Sequence, residues 1–551
     1  MPFPPFPDWT WDIPEYFNIG VACTDAHLET PHADQIAMIV EDDALGTATA
    51  TYRDLAQATS RFAQLLRDLG VKLEDRVLIR LPNSLAYPTA FFGAMKRGAI
   101  AVPTSTLLTA EEVVYLAKDS GATVLVTDKA MWAGLKNRLA GLEGLKHVLL
   151  AGPGDLPPSP ASGGGAGGEG TVTVLDLDQS LDRIATWSQP HKSRADDAAY
   201  LVYTSGTTGY PKGVLHAHRA MIGREPAAHY WFDFHPEGDR ILHSGKFNWT
   251  YVLGSGLMDP LYRGKTVIVH EGKNDAAGWI RLMARHAATI FIGVPTIYRQ
   301  ILQKTAATGA DVPALRHCMS AGEHLSDEML GLWKDRFGME IYEAVGMSEC
   351  SYYLSENKFR PIRPGSAGFP QPGHGVKLLD PDTLAEVPTG EEGMICIPAD
   401  DPGLFMRYWN LPEETAKAFR GGWFLTGDYA RLDADGYLWF LGRKDDIINS
   451  FGYRVSPHEI ERVLKTHPAV ADCAATGEEL DKDKVLVTAY VVPHPGSQVT
   501  ADELAAFGRA HLAAYKAPKI VYLVDDYPRT KNGKVIRTRL EPGLARTRSG
   551  N

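Results

Sequence analysis

The stretch YTSGTTGYPKG, residues 203–213, combines four serine and threonine hydroxyls, three glycines and one lysine. The apolar run AAYLVY before it is typical of a short buried strand, and we interpret GVLHAHRAM after it as continuing into a helix. Glycines let backbone N–H groups approach an anion closely, and the lysine adds a mobile positive charge. A strand, a glycine-rich loop and a helix in this order predict a phosphate-binding loop in an α/β fold.

This loop differs from a Walker A loop, which requires the pattern G-x-x-x-x-G-K-[ST]. Here Pro211 separates Lys212 from the glycines, and Gly213 follows the lysine. A polar surface turn is the alternative interpretation, because clusters of glycine, serine and threonine often form turns. The buried strand and the lysine favour phosphate binding. The residues assigned to this contact are Thr204, Ser205, Gly206, Thr207, Thr208, Gly209 and Lys212.

The segments before the loop alternate between strand and helix patterns. The runs RVLIRLP, ATVLVTD and KHVLLAG are short, apolar and bounded by turn residues, as buried strands are. Between strands, DLAQATSRFAQLLRDLG has apolar residues at helical spacing, with Gly70 as its stop signal. Alternating strands and helices predict an α/β architecture with mainly parallel sheets.

The pattern changes near residue 445. The segment GWFLTGDYARLDADGYLWFLGRKDDII carries an acidic turn between two hydrophobic runs, as in a hairpin. Helices are predicted to begin at SPHEIE and at TADELAAF, because both carry a Ser/Thr-x-x-Glu capping box. We therefore expect a large multi-sheet N-terminal domain, residues 1–444, and a small α+β C-terminal domain, residues 445–551.

Composition limits the class of protein. The chain has 551 residues, 44% hydrophobic residues and a net charge of −11, so a multi-domain globular protein is expected and nucleic acid is not the expected partner. No stretch approaches 18 consecutive apolar residues, and the first residues lack the pattern of a signal peptide. Five scattered cysteines outside CxxC spacing predict buried free thiols in a reducing compartment, and hence a cytoplasmic protein. The histidines show no zinc-ligand spacing that we trust.

Six further motifs follow the loop in order. They are SAGEHL at 320–325, EAVGMSE at 343–349, MRYWNLPEET at 406–415, WFLTGDYA at 423–430, GRKDDII at 442–448 and PRTKNGKVIR at 528–537. Together with the loop, they resemble the acyl-adenylate-forming superfamily over nearly the whole chain. The segments SAGEHLS, MSECSYYLSEN and MRYWN are most similar to benzoate-type acyl-CoA ligases.

The resemblance implies an ATP-dependent acid–CoA ligase. Such enzymes join a carboxylate to the α-phosphate of ATP, release pyrophosphate and pass the acyl group from acyl-AMP to the thiol of coenzyme A. This chemistry develops charge on a phosphoryl group. Loop N–H groups, a cation and Mg²⁺ stabilise such charge. By resemblance, residues 203–213 hold the β- and γ-phosphates, and the C-terminal domain moves between the two half-reactions.

The resemblance assigns the nucleotide site residue by residue. Ser348 matches a threonine that contacts the α-phosphate, Glu349 matches the acid that holds Mg²⁺, and Asp428 matches the acid that accepts the ribose hydroxyls. Lys534 matches the lysine that reaches the α-phosphate and the substrate carboxylate. Val345 is a departure, since many relatives place a tyrosine there, against adenine. The remaining assigned positions are Gly322, Glu323, Glu343, Gly346 and Arg443 for the nucleotide, and Asp445, Gly452, Tyr453 and Arg454 for the hinge and the coenzyme A path.

The acyl pocket is assigned to two segments, by resemblance to benzoate-type ligases. Its residues are Trp249, Thr250, Tyr251, Gly254 and Tyr352. Tyr352 departs from the benzoate-type pattern, which has a histidine there. We expect this set to form a wide, apolar and uncharged pocket, because it contains no arginine or lysine to pair a second carboxylate. A monocarboxylic acid with an aromatic or alicyclic ring, or a medium-length chain, is therefore predicted.

Two other functions stay open from the sequence. One is adenylation followed by transfer to a carrier-protein thiol, and the other is a nucleotide-binding regulator without chemistry. The predicted partners are a small carboxylic acid, ATP and coenzyme A, with neither nucleic acid nor membrane insertion. A homodimer and a lysine acetyltransferase acting on Lys534 are further candidate partners, the latter because acetylation would remove the lysine charge.

Overall fold

A computed structural model describes residues 6–139, 142–156, 172–204, 211–273, 275–322, 327–443, 448–451, 453–455, 457–481, 484–528, 535 and 537–549. Contacts divide the chain into two compact units. The first comprises Met1–Thr106, Val114–Val202 and Gly213–Leu441, and the second comprises Leu107–Val113, Tyr203–Lys212 and Gly442–Asn551. The architecture is α/β, as the sequence predicts.

A nine-stranded sheet carries most of the candidate site. Its six central strands run parallel, and antiparallel strands close both edges. In spatial order the strands are Phe369–Pro370, Leu354–Ser355, Ile341–Val345, His317–Ala321, Ile290–Ile292, Arg240–His243, Thr266–Glu271, Ile36–Asp42 and Gly46–Thr51. Carboxyl ends of parallel strands form a crevice in such sheets, and this is where ligands usually bind.

An eight-stranded sheet contains the strands on both sides of the glycine-rich loop. Its strands in order are Arg407–Tyr408, Lys212–Ala217, Ala198–Thr204, Ile100–Pro103, Arg76–Arg80, Ala122–Asp128, His147–Ala151 and Thr173–Asp176. The three apolar runs predicted as strands are confirmed, and they pair in parallel with one another or with the strand Ile100–Pro103.

The segment after the loop corrects one expectation. Residues Lys212–Ala217 form a strand, and a 3₁₀ helix follows at His218–Arg224, so the loop joins two strands instead of opening a helix. The reason is tertiary, because Leu215 and Val214 pair with Arg407 and Tyr408 of a distant strand. Because the two paired strands are so far apart in sequence, the segment itself contains no signal for this pairing.

A five-stranded antiparallel sheet follows in the chain. It comprises Lys377–Leu379, Glu392–Pro398, Trp423–Leu432, Phe419–Arg420 and Leu438–Arg443. The predicted hairpin is confirmed, since Trp423–Leu432 pairs with Leu438–Arg443 across an acidic turn.

The helix that the periodicity predicts is confirmed. Tyr52–Asp68 begins at a capping box between Thr51 and Asp54, and Gly70 follows its end with φ +74°. The other longer helices before residue 445 are Ala86–Arg97, Ala110–Ser120, Lys129–Leu139, Ala276–Arg285, Pro295–Lys304 and Asp327–Phe337. Shorter helical segments are Ile19–Ala22, Asp25–His27, Leu177–Asp182, Glu225–Tyr230, Thr250–Leu253, Gly254–Met258, Asp259–Tyr262, Gly309–Asp311 and Pro412–Ala418.

The C-terminal residues form an α+β unit. A four-stranded sheet comprises Val470–Asp481, Lys484–Pro493, Ile520–Val524 and Ala545–Arg548, and a two-stranded sheet pairs Ile448–Ser450 with Tyr453–Val455. Helices run over Pro457–Leu464 and Ala501–His511, with 3₁₀ segments at Arg537–Arg539 and Pro542–Leu544. The capping box of Thr500 and Glu503 is confirmed. Within the described part of the chain, no helix is long and apolar enough to cross a membrane.

Candidate active site

One short loop carries four of the predicted site residues. Strand Ile341–Val345 turns back into strand Leu354–Ser355, with Val345 opposite Leu354, so residues 346–353 form a loop at the carboxyl end of a parallel strand. Gly346 is required there, because an added Cβ would lie 2.3 Å from the backbone nitrogen of Tyr352. Tyr352 itself takes a left-handed φ of +33°. This tight turn therefore carries Ser348, Glu349 and Tyr352 on the same short loop.

Glu349 is held by two hydrogen bonds. The hydroxyl of Tyr408 donates to its Oε1 at 2.8 Å, and the backbone N–H of Phe405 donates to its carbonyl at 2.8 Å. Glu349 is buried, so the tyrosine fixes the direction of a carboxylate that has little access to water. Mg²⁺ prefers carboxylate oxygens as ligands, so the side chain of Glu349 is suited to coordinate this ion.

Ser348 is supported by a buried histidine. His216 Nε2 donates to the carbonyl of Ser348 at 2.7 Å, and the imidazole stacks on Tyr200 with ring centroids 4.6 Å apart. Burial lowers the pKa of His216 to about 3, so the ring is neutral and its Nε2 carries the hydrogen. No motif assigned a role to His216, and the structure shows that it positions the backbone of Ser348.

A bulge presents the predicted ribose acid, Asp428. In the pairing of Glu392–Pro398 with Trp423–Leu432, three residues lie opposite the single residue Ile395. Gly427 takes φ +76° at this point, and Thr426 Oγ1 donates to the carbonyl of Ile395 at 2.8 Å while accepting the N–H of Asp428 at 3.0 Å. Bulges of this kind redirect side chains. Asp428 Oδ2 accepts a long hydrogen bond, 3.5 Å, from Tyr353 of the loop described above.

A glycine-bearing turn lies beside Trp249. Gly322 follows strand His317–Ala321 with φ +95°, and an added Cβ would lie 3.5 Å from the indole of Trp249. The next parallel strand carries Glu343, whose N–H donates to Glu356 at 2.9 Å. Burial and the neighbouring Glu343 raise the pKa of Glu356 well above its ordinary value, so this carboxyl is protonated.

The residues assigned to the acyl pocket lie together. Trp249 and Tyr251 have ring centroids 5.3 Å apart, and Tyr251 stacks on Trp231 at 6.2 Å. Trp231 in turn contacts Tyr352 at 4.8 Å. Thr250 begins the helical segment, and Gly254 begins a π-helical turn, a feature frequent at functional sites.

The five residues assigned to the acyl pocket include no charged side chain, but a buried ion pair that the motifs did not predict lies next to them. Arg224 and Asp259 lie directly behind Gly254 and Tyr352, and both are buried. The guanidinium donates to Asp259 twice, from Nε at 3.0 Å and from Nη2 at 2.9 Å, and its Nη1 donates to Ser351 Oγ at 3.1 Å. An added Cβ at Gly254 would lie 1.5 Å from Arg224 Nη2, so only glycine fits beside this ion pair. The sequence analysis missed both residues because neither belongs to a motif of the resemblance.

A buried cluster of metal-ligand types lies behind Glu349. Cys350, His374 and Asp401 have ligand atoms within 4.8 Å of one another, which the histidine spacing did not predict. His374 Nδ1 lies 2.7 Å from Asp401 Oδ2, which is a hydrogen-bond distance. Two ligands of a tetrahedral zinc lie about 3.3 Å apart, so this geometry suits a proton between the two atoms. We interpret the cluster as support for the loop that carries Glu349.

Several predicted site residues lie outside the described residues. They are Ser205, Gly206, Thr207, Thr208, Gly209, Glu323, Asp445, Gly452 and Lys534. Thr204 ends strand Ala198–Thr204, and Lys212 begins strand Lys212–Ala217. Arg443 ends strand Leu438–Arg443, and Tyr453 and Arg454 lie on strand Tyr453–Val455.

Residues that the motifs did not assign complete the described site. They are His216, Arg224, His243, Asp259 and Tyr408. One signal was available for Asp259, because it interrupts an otherwise apolar segment, GLMDPL. A charge in such a segment is buried only when it is paired.

Comparison with known proteins identifies the family. The model of the AMP-binding enzymes matches residues 26–409, and that of their C-terminal domain matches residues 459–534. A 3-hydroxybenzoate/4-hydroxybenzoate–CoA ligase of Thauera aromatica is 34% identical over 526 residues, covering 93% of this chain and 95% of the relative. A benzoate–CoA ligase of the same organism is 31% identical, with 96% of both chains covered.

Comparison with a solved structure supports the same family assignment. The crystal structure of an anthranilate CoA ligase in complex with anthranoyl-AMP matches with a TM-score of 0.69 and 30% identity, covering 95% of this chain and 96% of that chain. The chain therefore belongs to the family of AMP-binding enzymes, as an ATP-dependent acid–CoA ligase that works through an acyl-AMP.

Proposed function

We propose that the protein activates an aromatic monocarboxylic acid by adenylation and transfers it to coenzyme A. The observation that carries this proposal is that one loop carries the first predicted acid, Glu349, and contacts the second, Asp428. Residues 346–353 present Glu349, and Tyr353 of the same loop reaches Asp428 on another sheet. One carboxylate for a metal and one for ribose, on the two sides of one loop, suit a bound nucleotide.

In this proposal, Glu349 holds the metal and Asp428 accepts both ribose hydroxyls. Bound Mg²⁺ supplies charge neutralisation at the phosphates. The residues of the chain supply orientation: Tyr408 fixes the carboxylate of Glu349, and His216 fixes the backbone of Ser348. The buried positions of Glu349 and Asp428 keep water from the carboxylates, which strengthens each contact.

The other nucleotide residues complete the site by resemblance to the family. Thr204, Lys212 and the glycine-rich loop hold the β- and γ-phosphates. Gly322, Glu323 and Val345 line the adenine slot, Glu343 and Gly346 also belong to the nucleotide site, and Arg443 lies beside ribose. Lys534 stabilises charge on the α-phosphate during adenylation.

The C-terminal domain, residues 445–551, carries out the second half-reaction in a different position. Asp445 is the hinge residue, and Gly452, Tyr453 and Arg454 lie along the path of coenzyme A. The family match over residues 459–534 supports a separate C-terminal unit.

The acyl subsite lies between Trp249 and Tyr352. Half-buried aromatic side chains at 249–251 and the buried Trp231 offer an apolar slot that suits a ring, because planar rings pack well against aromatic faces. The benzoate- and hydroxybenzoate-activating relatives support an aromatic acid as the substrate.

The experiment is an AMP-release assay with ATP, Mg²⁺ and coenzyme A. The acids tested are benzoate, 4-hydroxybenzoate, cyclohexanecarboxylate, hexanoate, acetate and succinate. The proposal predicts the highest kcat/KM for an aromatic acid and strict dependence of thioester formation on coenzyme A. A preference for acetate or succinate would contradict the aromatic subsite, and AMP release onto a carrier-protein thiol alone would favour the other transfer reaction.

The proposal also places the enzyme in the cytoplasm. All five cysteines are buried and unpaired, which suits a reducing compartment. A homodimer and acetylation of Lys534 belong to the same proposal, and each has a direct measurement. Light scattering gives the molecular mass, and mass spectrometry of the protein from its native cells detects an acetyl group.

A further inference from the structure

A buried polar cluster forms the wall behind the proposed acyl subsite. It consists of Arg224, Asp259 and Tyr352, which contact one another on the far side of Gly254. The hydroxyl of Tyr352 accepts a hydrogen bond from Arg224 Nη2 and donates one to Asp259 Oδ2. The cluster is part of the aromatic wall, because Tyr352 also packs on Trp231 and Phe232.

The cluster carries no net charge. Burial opposes the charge on Arg224, but Asp259 raises the pKa of the guanidinium well above its ordinary value, so the arginine stays ionised. Burial raises the pKa of Tyr352, so its hydroxyl stays protonated. One positive and one negative group therefore cancel. A second carboxylate on a substrate would leave this wall with an uncompensated negative charge, which is costly in a buried site.

Two more polar atoms beside the wall have no partner among the described residues. The hydroxyl of Tyr251 is buried near Ser255 and makes no hydrogen bond of good geometry, and the buried Nε2 of His243 makes none either. The rings of Tyr251 and His243 have centroids 5.1 Å apart. His243 Nδ1 accepts the N–H of Gly245 at 3.0 Å, and burial lowers the pKa of the ring to about 3, so a neutral ring keeps its hydrogen on Nε2.

Unpartnered buried polar groups are costly, and a ligand group that hydrogen-bonds to them removes the cost. A hydroxyl both donates and accepts, so it suits Tyr251, His243 and a neutral wall at the same time. A methyl group of similar size satisfies none of them. Sites built to hydrogen-bond a hydroxyl reject the analogue without it far more strongly than apolar pockets reject an added hydroxyl.

We propose that this polar wall, with Tyr251 and His243, selects an aromatic monocarboxylic acid whose ring carries a neutral hydrogen-bonding group, such as a hydroxyl, away from the reacting carboxylate. The inference rests on the acyl subsite of the proposed function. It adds that Asp259 determines specificity, because it cancels the charge of Arg224.

The first test compares isosteric substrates with the full-length enzyme. We expect kcat/KM for 3- or 4-hydroxybenzoate to exceed that for the matching methylbenzoate by at least about tenfold. Tyr251→Phe should lower this hydroxyl-to-methyl ratio. The control is Tyr437→Phe, whose hydroxyl donates to the carbonyl of Pro361 at 2.7 Å outside the site, and it should leave the ratio unchanged.

The second test changes the charge of the wall. Asp259→Asn should raise kcat/KM for terephthalate relative to 4-hydroxybenzoate by at least about tenfold, because Arg224 then pairs the second carboxylate. If this variant does not fold, the double variant Arg224→Met with Asp259→Leu replaces the ion pair by apolar side chains of similar size, a change that proteins often tolerate. It should shift preference from hydroxybenzoate to methylbenzoate.

The outcomes separate this inference from the proposed function. Equal kcat/KM for hydroxybenzoate, methylbenzoate and benzoate in the wild-type enzyme would overturn the inference and leave aromatic acid activation intact. A Tyr251→Phe enzyme with an unchanged ratio would also overturn it. Failure of every aromatic acid would reject the proposed function, and the inference with it.

Discussion

The phenolic hydroxyl of Tyr408 donates to Oε1 of Glu349 across 2.8 Å, although 59 residues separate them in sequence. Tyr408 reaches this position because its strand pairs with the strand after the glycine-rich loop, with Tyr408 opposite Val214. The hydrogen bond couples the outer strand of one sheet to the loop that carries the proposed metal acid.

Tyr408→Phe should weaken the binding of Mg²⁺ more than it lowers the stability of the protein. Loss of a group that orients a metal ligand typically lowers metal affinity by about tenfold or more. We expect a rise of this size in the Mg²⁺ concentration that gives half-maximal acyl-AMP formation. The control is Tyr522→Phe, which removes a similar bond to Glu478, 3.1 Å long, in the C-terminal sheet. An unchanged Mg²⁺ requirement would mean that Tyr408 is only structural.

Gly427→Ala should impair nucleotide binding through the backbone alone. An added Cβ meets nothing within 4 Å, but φ is +76°, so the substitution costs about 1–2 kcal/mol of conformational strain. Relief of this strain would turn Asp428 away, and the KM for ATP should rise. Gly390→Ala is the matched control, with φ +94° and equally open space away from the site. Both variants should lose similar thermal stability, and a rise in KM for Gly390→Ala would contradict this account.

Gly254→Ala should disrupt the acyl wall. Its Cβ would overlap Arg224 Nη2 and lie 2.5 Å from the Tyr352 hydroxyl, so the buried ion pair must move. Disturbing such a pair costs about 3–5 kcal/mol, which a lowered melting temperature would report. Gly331→Ala, with open space in helix Asp327–Phe337, should instead raise stability slightly. If Gly254→Ala keeps wild-type stability, the packing described here is wrong.

Stability should fall as the pH decreases from 6.5 to 5. Burial lowers the pKa of His216, His218 and His243 to about 3. The unfolded chain binds protons at these residues near pH 6.5, so below that pH the unfolded state holds more protons than the native state, down to about pH 3. Each group then reduces the free energy of unfolding by about 1.4 kcal/mol per pH unit.

The measurement is the melting temperature at pH 7.5, 6.5, 5.5 and 5.0. His218→Gln should make the decrease shallower, because glutamine can accept the N–H of Ile19 that His218 Nδ1 accepts at 3.1 Å, without titrating. His494→Gln, at an exposed position, is the control. A melting temperature that is constant between pH 6.5 and 5 would rule out the buried neutral histidines.

Lys534→Ala should affect one half-reaction only. If Lys534 stabilises charge on the α-phosphate, its loss should slow acyl-AMP formation by about 10²–10³-fold. Thioester formation from supplied acyl-AMP and coenzyme A should persist. Equal loss of both half-reactions would reject the role, and full activity of an acetylated enzyme would reject acetylation as a switch.

Short-range signals in the sequence determined the elements. Helical periodicity and the Thr51 capping box located the helix Tyr52–Asp68, and the acidic turn located the hairpin after Trp423–Leu432. The order of seven motifs also predicted the family and the identities of the proposed nucleotide residues. These signals are local because caps, turns and periodicity act within a few residues of the chain.

Only the tertiary structure decided which side chains meet. His216 supports Ser348 from 132 residues away, and Arg224 pairs with Asp259 behind Gly254. The segment Lys212–Ala217 was expected to continue into a helix but forms a strand. Its partner strand, Arg407–Tyr408, lies far along the chain, so the pairing could not be predicted locally. Strand register and side-chain pairing are set by the packing of the whole unit, so no local window of sequence contains them.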